Sequence, residues 1–145
     1  MRTSIQNPVM TCRAFTFLAF RALTLVFLFS ISAHADNERA ALRDKLEDIQ
    51  TLIEAGIDYT EYSSRVSELL LLQRRYQKIG GKEQGLLFAV EAHVNARNAW
   101  NQKIAYSGQT SASQAKTYDK LIQIYWKGAR DQMQVVLDRE SGKIK

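Results

Sequence analysis

The chain has 145 residues, 20 basic and 15 acidic side chains, one cysteine, two histidines and a formal net charge of +5. This length suits a leader followed by one small domain, because about 100 residues can bury a core of useful size. The scarcity of cysteine and histidine argues against disulfide frameworks, thiol catalysis and the common zinc and di-iron motifs. We therefore predict a protein that is not an enzyme and that has no catalytic, metal-binding or cofactor-binding residues.

Residues 1–35 have the three parts of a secretory signal peptide. The basic part contains no acid and carries three arginines: Arg2, Arg13 and Arg21. The apolar run ALTLVFLFSI covers residues 22–31, and Ala33-His34-Ala35 follows as an A-x-A cleavage site. The run is shorter than the roughly 20 residues that cross a bilayer. We predict cleavage before Asp36 and a periplasmic or secreted protein.

Cleavage before Asp36 changes the composition of the chain. It removes three arginines and Cys12, which leaves 17 basic and 15 acidic residues, a net charge of +2 and no cysteine. The basic character therefore belongs in part to the leader and is weak evidence for nucleic-acid binding. The long basic region also leaves two candidate start residues, Met1 and Met10.

The first predicted helix of the mature chain covers residues 37–55. Its apolar residues repeat at spacings of three and four, as on a helix face that packs against a core. They are Leu42, Leu46, Ile49 and Ile53. We expect Asp36 or Asn37 to cap the first turn, and Gly56 stands where a left-handed residue commonly ends a helix.

The second predicted helix begins at Asp58, which forms a capping-box pattern with Glu61, and it ends at Gly80-Gly81. Its core face consists of Tyr62, Val66, Leu69, Tyr76 and Ile79. Residues 69–72 are all leucine. Because successive helical residues are about 100° apart, Leu71 points away from that core face. It is either a single exposed side chain or a contact with another chain.

The third predicted helix covers residues 84–106 and is apolar or small over much of its circumference, which indicates burial on several sides. One stripe is formed by Leu86, Val90, His93, Trp100 and Ile104, and a second by Ala89, Ala92, Ala96 and Ala99. We expect Trp100 to be largely buried between helices, together with Leu46, Ile49, Val90 and Ile122.

The fourth predicted helix follows a small polar loop at residues 107–113 and continues to about residue 139. Ser111 with Gln114, or Ser113 alone, is expected to cap its first turn. Gly128 lies inside this helix, where glycine costs about 1 kcal/mol relative to alanine. We expect that cost to be offset by the close approach of another helix.

Four long helices with short connections predict an all-α fold, an up-down-up-down antiparallel four-helix bundle of residues 36–145. Residues 56–62, GIDYTEY, and residues 95–101, NARNAWN, resemble segments of small exported helical proteins of bacteria. The resemblance covers most of the mature chain. It implies an exported helical protein and no particular activity or site residue.

His93 and Met133 are the only histidine and methionine outside the leader. Such a pair holds haem in some exported four-helix bundles, which makes a small-molecule or haem carrier the alternative function. If the last hairpin turns near Thr110, however, Met133 lies some 9 Å along the helix axis from the position opposite His93. We therefore expect Met133 to fill the core and His93 to be a partly buried, hydrogen-bonded residue.

Charge is unevenly distributed along the mature chain: residues 36–68 carry a net charge of −5 and residues 69–145 a net charge of +7. We expect this difference to be met by pairing between helices. The candidate contacts for a partner are Leu71, Arg75, Arg97, Lys127 and Arg130. Because the chain has an export signal, we predict a protein partner in the cell envelope or a homodimer, in an adaptor, chaperone-like or inhibitor role, and no nucleic acid.

Overall fold

The computed structural model describes residues 12–108 and 111–144, with side chains placed from residue 34 onward. These residues form four α-helices: α1 (Cys12–Ala55), α2 (Tyr59–Lys78), α3 (Gln84–Ala105) and α4 (Ala112–Glu140). No strand occurs in this part of the chain, so the prediction of an all-α fold is confirmed. The chain divides into two units, Met1–His34 and Ala35–Lys145. The second unit contains all the side-chain features that follow.

Residues 12–33 are described only in their backbone, and both candidate start residues lie outside the described residues. In the full chain α1 is continuous through residues 36 and 37. Neither Asp36 nor Asn37 therefore caps a helix start, contrary to the expectation from the sequence. In the part of the chain that the structure describes, none of the helices combines the length and the apolar character that a membrane span requires.

The other helix ends follow their sequence signals closely. Gly56 adopts a left-handed φ of 92° directly after α1. The Asp58 carboxylate accepts a hydrogen bond of 3.0 Å from the backbone N–H of Glu61, which caps α2. Ser111 and Gln114 form a reciprocal capping box at the start of α4. These local patterns place the connections between the helices and confirm the predicted caps.

The core is formed by apolar side chains from all four helices. The most completely buried of the large ones are Leu42, Leu46, Ile49, Tyr62, Val66, Leu69, Leu86, Val90 and Val136. Ile122 is also buried, at 4% exposure. Trp100 is partly buried and packs against the core, whereas Ile104 is 45% exposed, so the predicted stripe of α3 ends before its last turn.

Close helix packing occurs at a glycine other than the predicted one. A Cβ atom added to Gly128 would meet nothing within 4 Å, so no helix approaches it closely. At Gly85 the same atom would lie 2.7 Å from Cγ2 of Val136 on α4. The absence of a side chain at Gly85 therefore permits the close contact of α3 and α4, and the prediction for Gly128 is wrong.

Several ion pairs connect α1 to later parts of the chain. Arg39 contacts Glu83 at 2.6 Å and Glu140 at 2.5 Å, and Arg43 contacts Glu140 at 3.1 Å. Partial burial opposes ionisation of Glu140, but the hydrogen bonds and charges of both arginines outweigh it and lower its pKa. In these contacts the basic residue comes from residues 36–68, the segment with the net negative charge, and the acidic residue comes from the later segment. The charge distribution predicts pairs between an acidic residue of the first segment and a basic residue of the later one. Glu54 and Arg130, at 3.6 Å, form such a pair.

Candidate functional site

A groove of about 370 Å³ between α1 and α2 contains the exposed leucine predicted from the sequence. Leu71 is 55% exposed, whereas the adjacent Leu72 is half-buried against the core. The groove is lined by Ala41, Asp44, Lys45 and Asp48 from α1 and by Glu68, Leu71, Leu72 and Arg75 from α2. It therefore combines an apolar strip with charges of both signs.

Some of the charges in this groove are paired. Lys45 forms an ion pair with Glu68, and the hydrogen bond from Lys45 is the largest cause that lowers the pKa of the Glu68 carboxyl. Asp44 is paired with Arg43 at 2.9 Å. Asp48 and Arg75 take part in none of the ion pairs formed within residues 34–108 and 111–144. The groove thus offers one acid and one base to a partner.

The five candidate contact residues do not form one surface. Leu71 and Arg75 share the α1–α2 groove, whereas Lys127 and Arg130 line a second groove of about 510 Å³ beside Trp126. In that second groove Lys127 is 2.5 Å from Asp131, and Arg130 is paired with Glu54. Arg97 lies elsewhere on α3 and donates a hydrogen bond of 3.3 Å to the Ser67 hydroxyl of α2.

The interior contains a hydrogen-bonded group centred on the Tyr62 hydroxyl. This oxygen is 3.1 Å from Nδ1 of His93, and the hydroxyl donates to the main-chain oxygen of His93 at 3.2 Å. It also accepts a hydrogen bond of 3.0 Å from Nε1 of Trp126. The Tyr62 ring contacts the rings of Trp100 and Trp126, each with centroids 5.7 Å apart. The rings of His93, Trp100 and Trp126, from two helices, therefore surround the Tyr62 side chain.

Burial disfavours the charged form of both titratable members of this group. It lowers the pKa of His93 to about 4, and it raises the pKa of the Tyr62 hydroxyl above its usual range. The sequence predicted a hydrogen-bonded histidine. It did not identify Tyr62 as the partner, because a tyrosine among the apolar residues of a helix face is first interpreted as part of the core and not as a hydrogen-bonding group.

A cavity of about 240 Å³ lies beside His93, between α1, α3 and α4. Met133 also lines this cavity. His93 and Met133, which the sequence predicts to be offset along the bundle axis, therefore share one cavity. Gln50 also lines the cavity, and its Oε1 is buried with no hydrogen-bond partner. Among the described residues no group of three or more histidine, cysteine or acidic side chains could hold a metal ion.

Comparison with known proteins gives no relative from which a function could be transferred. No family model, no curated protein and no solved structure matches this chain. The site must therefore be interpreted from its own geometry.

Proposed function

We propose that the protein is exported to the periplasm or secreted and there binds an amphipathic helix of another protein in the α1–α2 groove, without catalysing a reaction. The observation that carries this proposal is the exposed Leu71 beside Leu72, in a groove whose lining also includes Asp48 and Arg75, two charges with no ion-pair partner among the described residues. Adaptor, chaperone-like and inhibitor roles all use such a surface.

The dimensions of the groove suit a helix as the occupant. Its lining extends from Ala41 to Asp48 on α1 and from Glu68 to Arg75 on α2, which is about 10 Å at 1.5 Å per residue. Two helical turns of a partner cover that length and bring a residue of every turn to the leucines, as in other helix-in-groove complexes. A basic and an acidic residue flanking the apolar residues of that helix would meet Asp48 and Arg75.

The proposed scaffold for this groove is an antiparallel up-down-up-down bundle. Arg43 near the start of the described unit contacts Glu140 at the end of α4, whereas Glu54 at the end of α1 contacts Arg130, earlier in α4. This order of contacts supports opposite directions for α1 and α4. The short connections between successive helices support the same arrangement for the remaining pairs.

Binding is tested by the Leu71→Glu substitution, with Phe88→Glu as the matched control. Phe88 is 50% exposed on α3 and lies outside the groove, so both changes place a carboxylate at an exposed apolar position. We expect Leu71→Glu to remove a specific protein from pull-downs of envelope extract, and Phe88→Glu to retain it. Loss in both variants, or in neither, would contradict the assignment to the groove.

Self-association is distinguished from a foreign partner by sedimentation of the same variants. A second copy of the chain could use the groove in a two-fold dimer, where both protomers present the same surface. In that case the wild type sediments as a dimer and Leu71→Glu as a monomer with unchanged helix content. A monomeric wild type leaves a foreign helix as the proposed occupant.

Export is tested separately by sequencing the N-terminus of the protein from the cell envelope. We expect the mature chain to begin at Asp36, after the Ala33-His34-Ala35 site. Recovery of a membrane-bound protein with residues 1–35 intact would contradict the proposed cleavage.

A small-molecule carrier is the second candidate function, and the cavity beside His93 is the observation that favours it. At about 240 Å³ this cavity is below the roughly 300–1,000 Å³ of pockets that hold drug-sized ligands. A carrier role therefore applies to a small ligand, and a haem would require the helices to separate.

A further inference from the structure

We infer that the cavity between α1, α3 and α4 binds a small uncharged aromatic molecule that carries one N–H or O–H hydrogen-bond donor. This site is distinct from the α1–α2 groove, and its occupation does not depend on the function proposed for that groove.

The floor of the cavity is suited to an apolar ring. Its apolar part is formed by Leu46, Ala129, Met133 and Leu137, and the first three of these side chains are buried. The thioether of Met133 favours an aromatic ligand, since sulfur–aromatic contacts are stabilising. The exposed residues of the lining, among them Glu47, Thr51 and Arg130, form the mouth of the cavity and leave an entry path from solvent.

Two polar atoms explain why the ligand needs a donor. Gln50 Nε2 donates to Glu54 at 2.9 Å, which fixes the amide and leaves Oε1 buried without a partner. A buried acceptor in that state costs free energy that a ligand donor would recover. The second is carried by the ring of His93, which also lines the cavity.

The hydrogen bonds of Tyr62 define the role of His93. When the Tyr62 hydroxyl donates its proton to the main-chain oxygen of His93, the 3.1 Å contact with Nδ1 is a hydrogen bond only in the tautomer that carries a proton on Nδ1. Nε2 of the neutral ring is then an acceptor. Gln50 Oε1 and, in this tautomer, His93 Nε2 accept hydrogen bonds, so a donor on the ligand is favoured.

The volume sets the size of the ligand. An apolar protein cavity of about 150 Å³ is known to hold benzene, with its six carbon atoms. In proportion, about 240 Å³ accommodates a ligand of about nine or ten non-hydrogen atoms. Indole has this size, is flat and uncharged, and carries a single N–H donor. Benzofuran has nearly the same shape with an oxygen acceptor in place of the N–H.

This pair of compounds provides the test, with the purified protein as the cell produces it. Titration is followed by calorimetry and by the methyl NMR signals of Ala129 and Met133. We expect indole to shift these signals and to bind about tenfold more tightly than benzofuran, because benzofuran leaves the buried acceptors unpaired. Equal affinity for the two compounds, or no shift of these methyl signals with indole, would overturn the inference.

A Gln50→Met variant identifies the acceptor, with Gln73→Met as its matched control. Gln73 is a half-buried glutamine on α2 and does not line the cavity. We expect Gln50→Met to lose most of the preference for indole over benzofuran, and Gln73→Met to keep it. An unchanged preference in Gln50→Met would overturn the role of Gln50. The comparison of the two compounds in the wild type remains decisive if either variant fails to fold.

Discussion

The Tyr62 interior and the Leu71 groove lie on opposite sides of one helix. The two residues are nine positions apart, which places them about 180° apart around α2 at 100° per residue. Tyr62 is fully buried and its hydroxyl has partners on α3 and α4, whereas Leu71 is 55% exposed. Around Tyr62 the polar groups are uncharged and hydrogen-bonded to one another. In the groove they are charged and accessible to solvent.

Because of this difference, substitutions in the interior and in the groove should have different effects. A polar group in the interior has no water to replace a lost partner, so its loss costs stability. Exposed charges and a single exposed leucine contribute little to folding, and surface substitutions usually change stability by less than about 0.5 kcal/mol. Interior variants should therefore change the free energy of unfolding, and groove variants should change binding alone.

The largest expected effect concerns the dependence of stability on pH. The pKa of His93 falls from 6.5 in the unfolded chain to about 4 in the folded protein because of burial. The unfolded chain therefore binds a proton between these values that the folded protein does not. Stability is complete above about pH 6.5 and declines as the pH falls to 4, by about 3 kcal/mol in total from this residue.

The measurement is urea unfolding of the wild type and a His93→Gln variant at several pH values from 7 to 4. The neutral amide of glutamine does not titrate, so the stability of the variant should fall less steeply over this range, even if it is lower at pH 7. Parallel curves for the two proteins would show that other groups, such as Glu140 beside Arg39 and Arg43, cause the decline.

The next effect concerns the hydroxyl of Tyr62. A Tyr62→Phe change leaves the N–H of Trp126 and the ring nitrogen of His93 without their partner, at a cost of about 1–3 kcal/mol. Tyr59→Phe is the control, because Tyr59 is half-buried and its ring contacts Trp100 in a tilted arrangement, with centroids 5.7 Å apart. Thermal unfolding should separate the two variants by several degrees, and equal melting temperatures would contradict the role of the hydroxyl.

The last effect has opposite signs at two glycines. Gly85→Ala forces a methyl group against Val136, and overpacking of a core costs about 1–3 kcal/mol. Gly128→Ala meets open space inside α4 and should stabilise the protein by up to about 1 kcal/mol through helix propensity. Chemical unfolding of both variants checks the signs. Stabilisation by Gly85→Ala would contradict the close packing of α3 and α4.

The sequence was sufficient for features that depend on neighbouring residues. Helix caps at Asp58 and Ser111 need only a side chain and a backbone group three positions away, and both predictions hold. The core positions of α1 and α2 followed from their spacing, because a helix face is fixed by its period. The exposure of Leu71 followed from the same geometry.

The features that the sequence missed depend on distant parts of the chain. Gly128 and Gly85 are alike in sequence, and only the path of the neighbouring helix determines which one is in close contact. The grouping of Gln50, His93 and Met133 around one cavity required the relative positions of three helices. The five predicted contact residues lie in three places: two in the α1–α2 groove, two in the second groove, and Arg97 elsewhere on α3. Residues on different helices have no fixed spacing in sequence, so the sequence could not show which of them are neighbours.

The central claim, that the groove and not the rest of the surface binds a partner helix, is tested most directly by site-specific photo-crosslinking in living cells. A photoreactive amino acid is placed at position 71 in one strain and at position 88 in another, as both side chains are exposed. We predict a discrete crosslinked product from position 71 and none from position 88, with Arg75→Glu weakening the former. No product from position 71, or the same product from both positions, would contradict the claim.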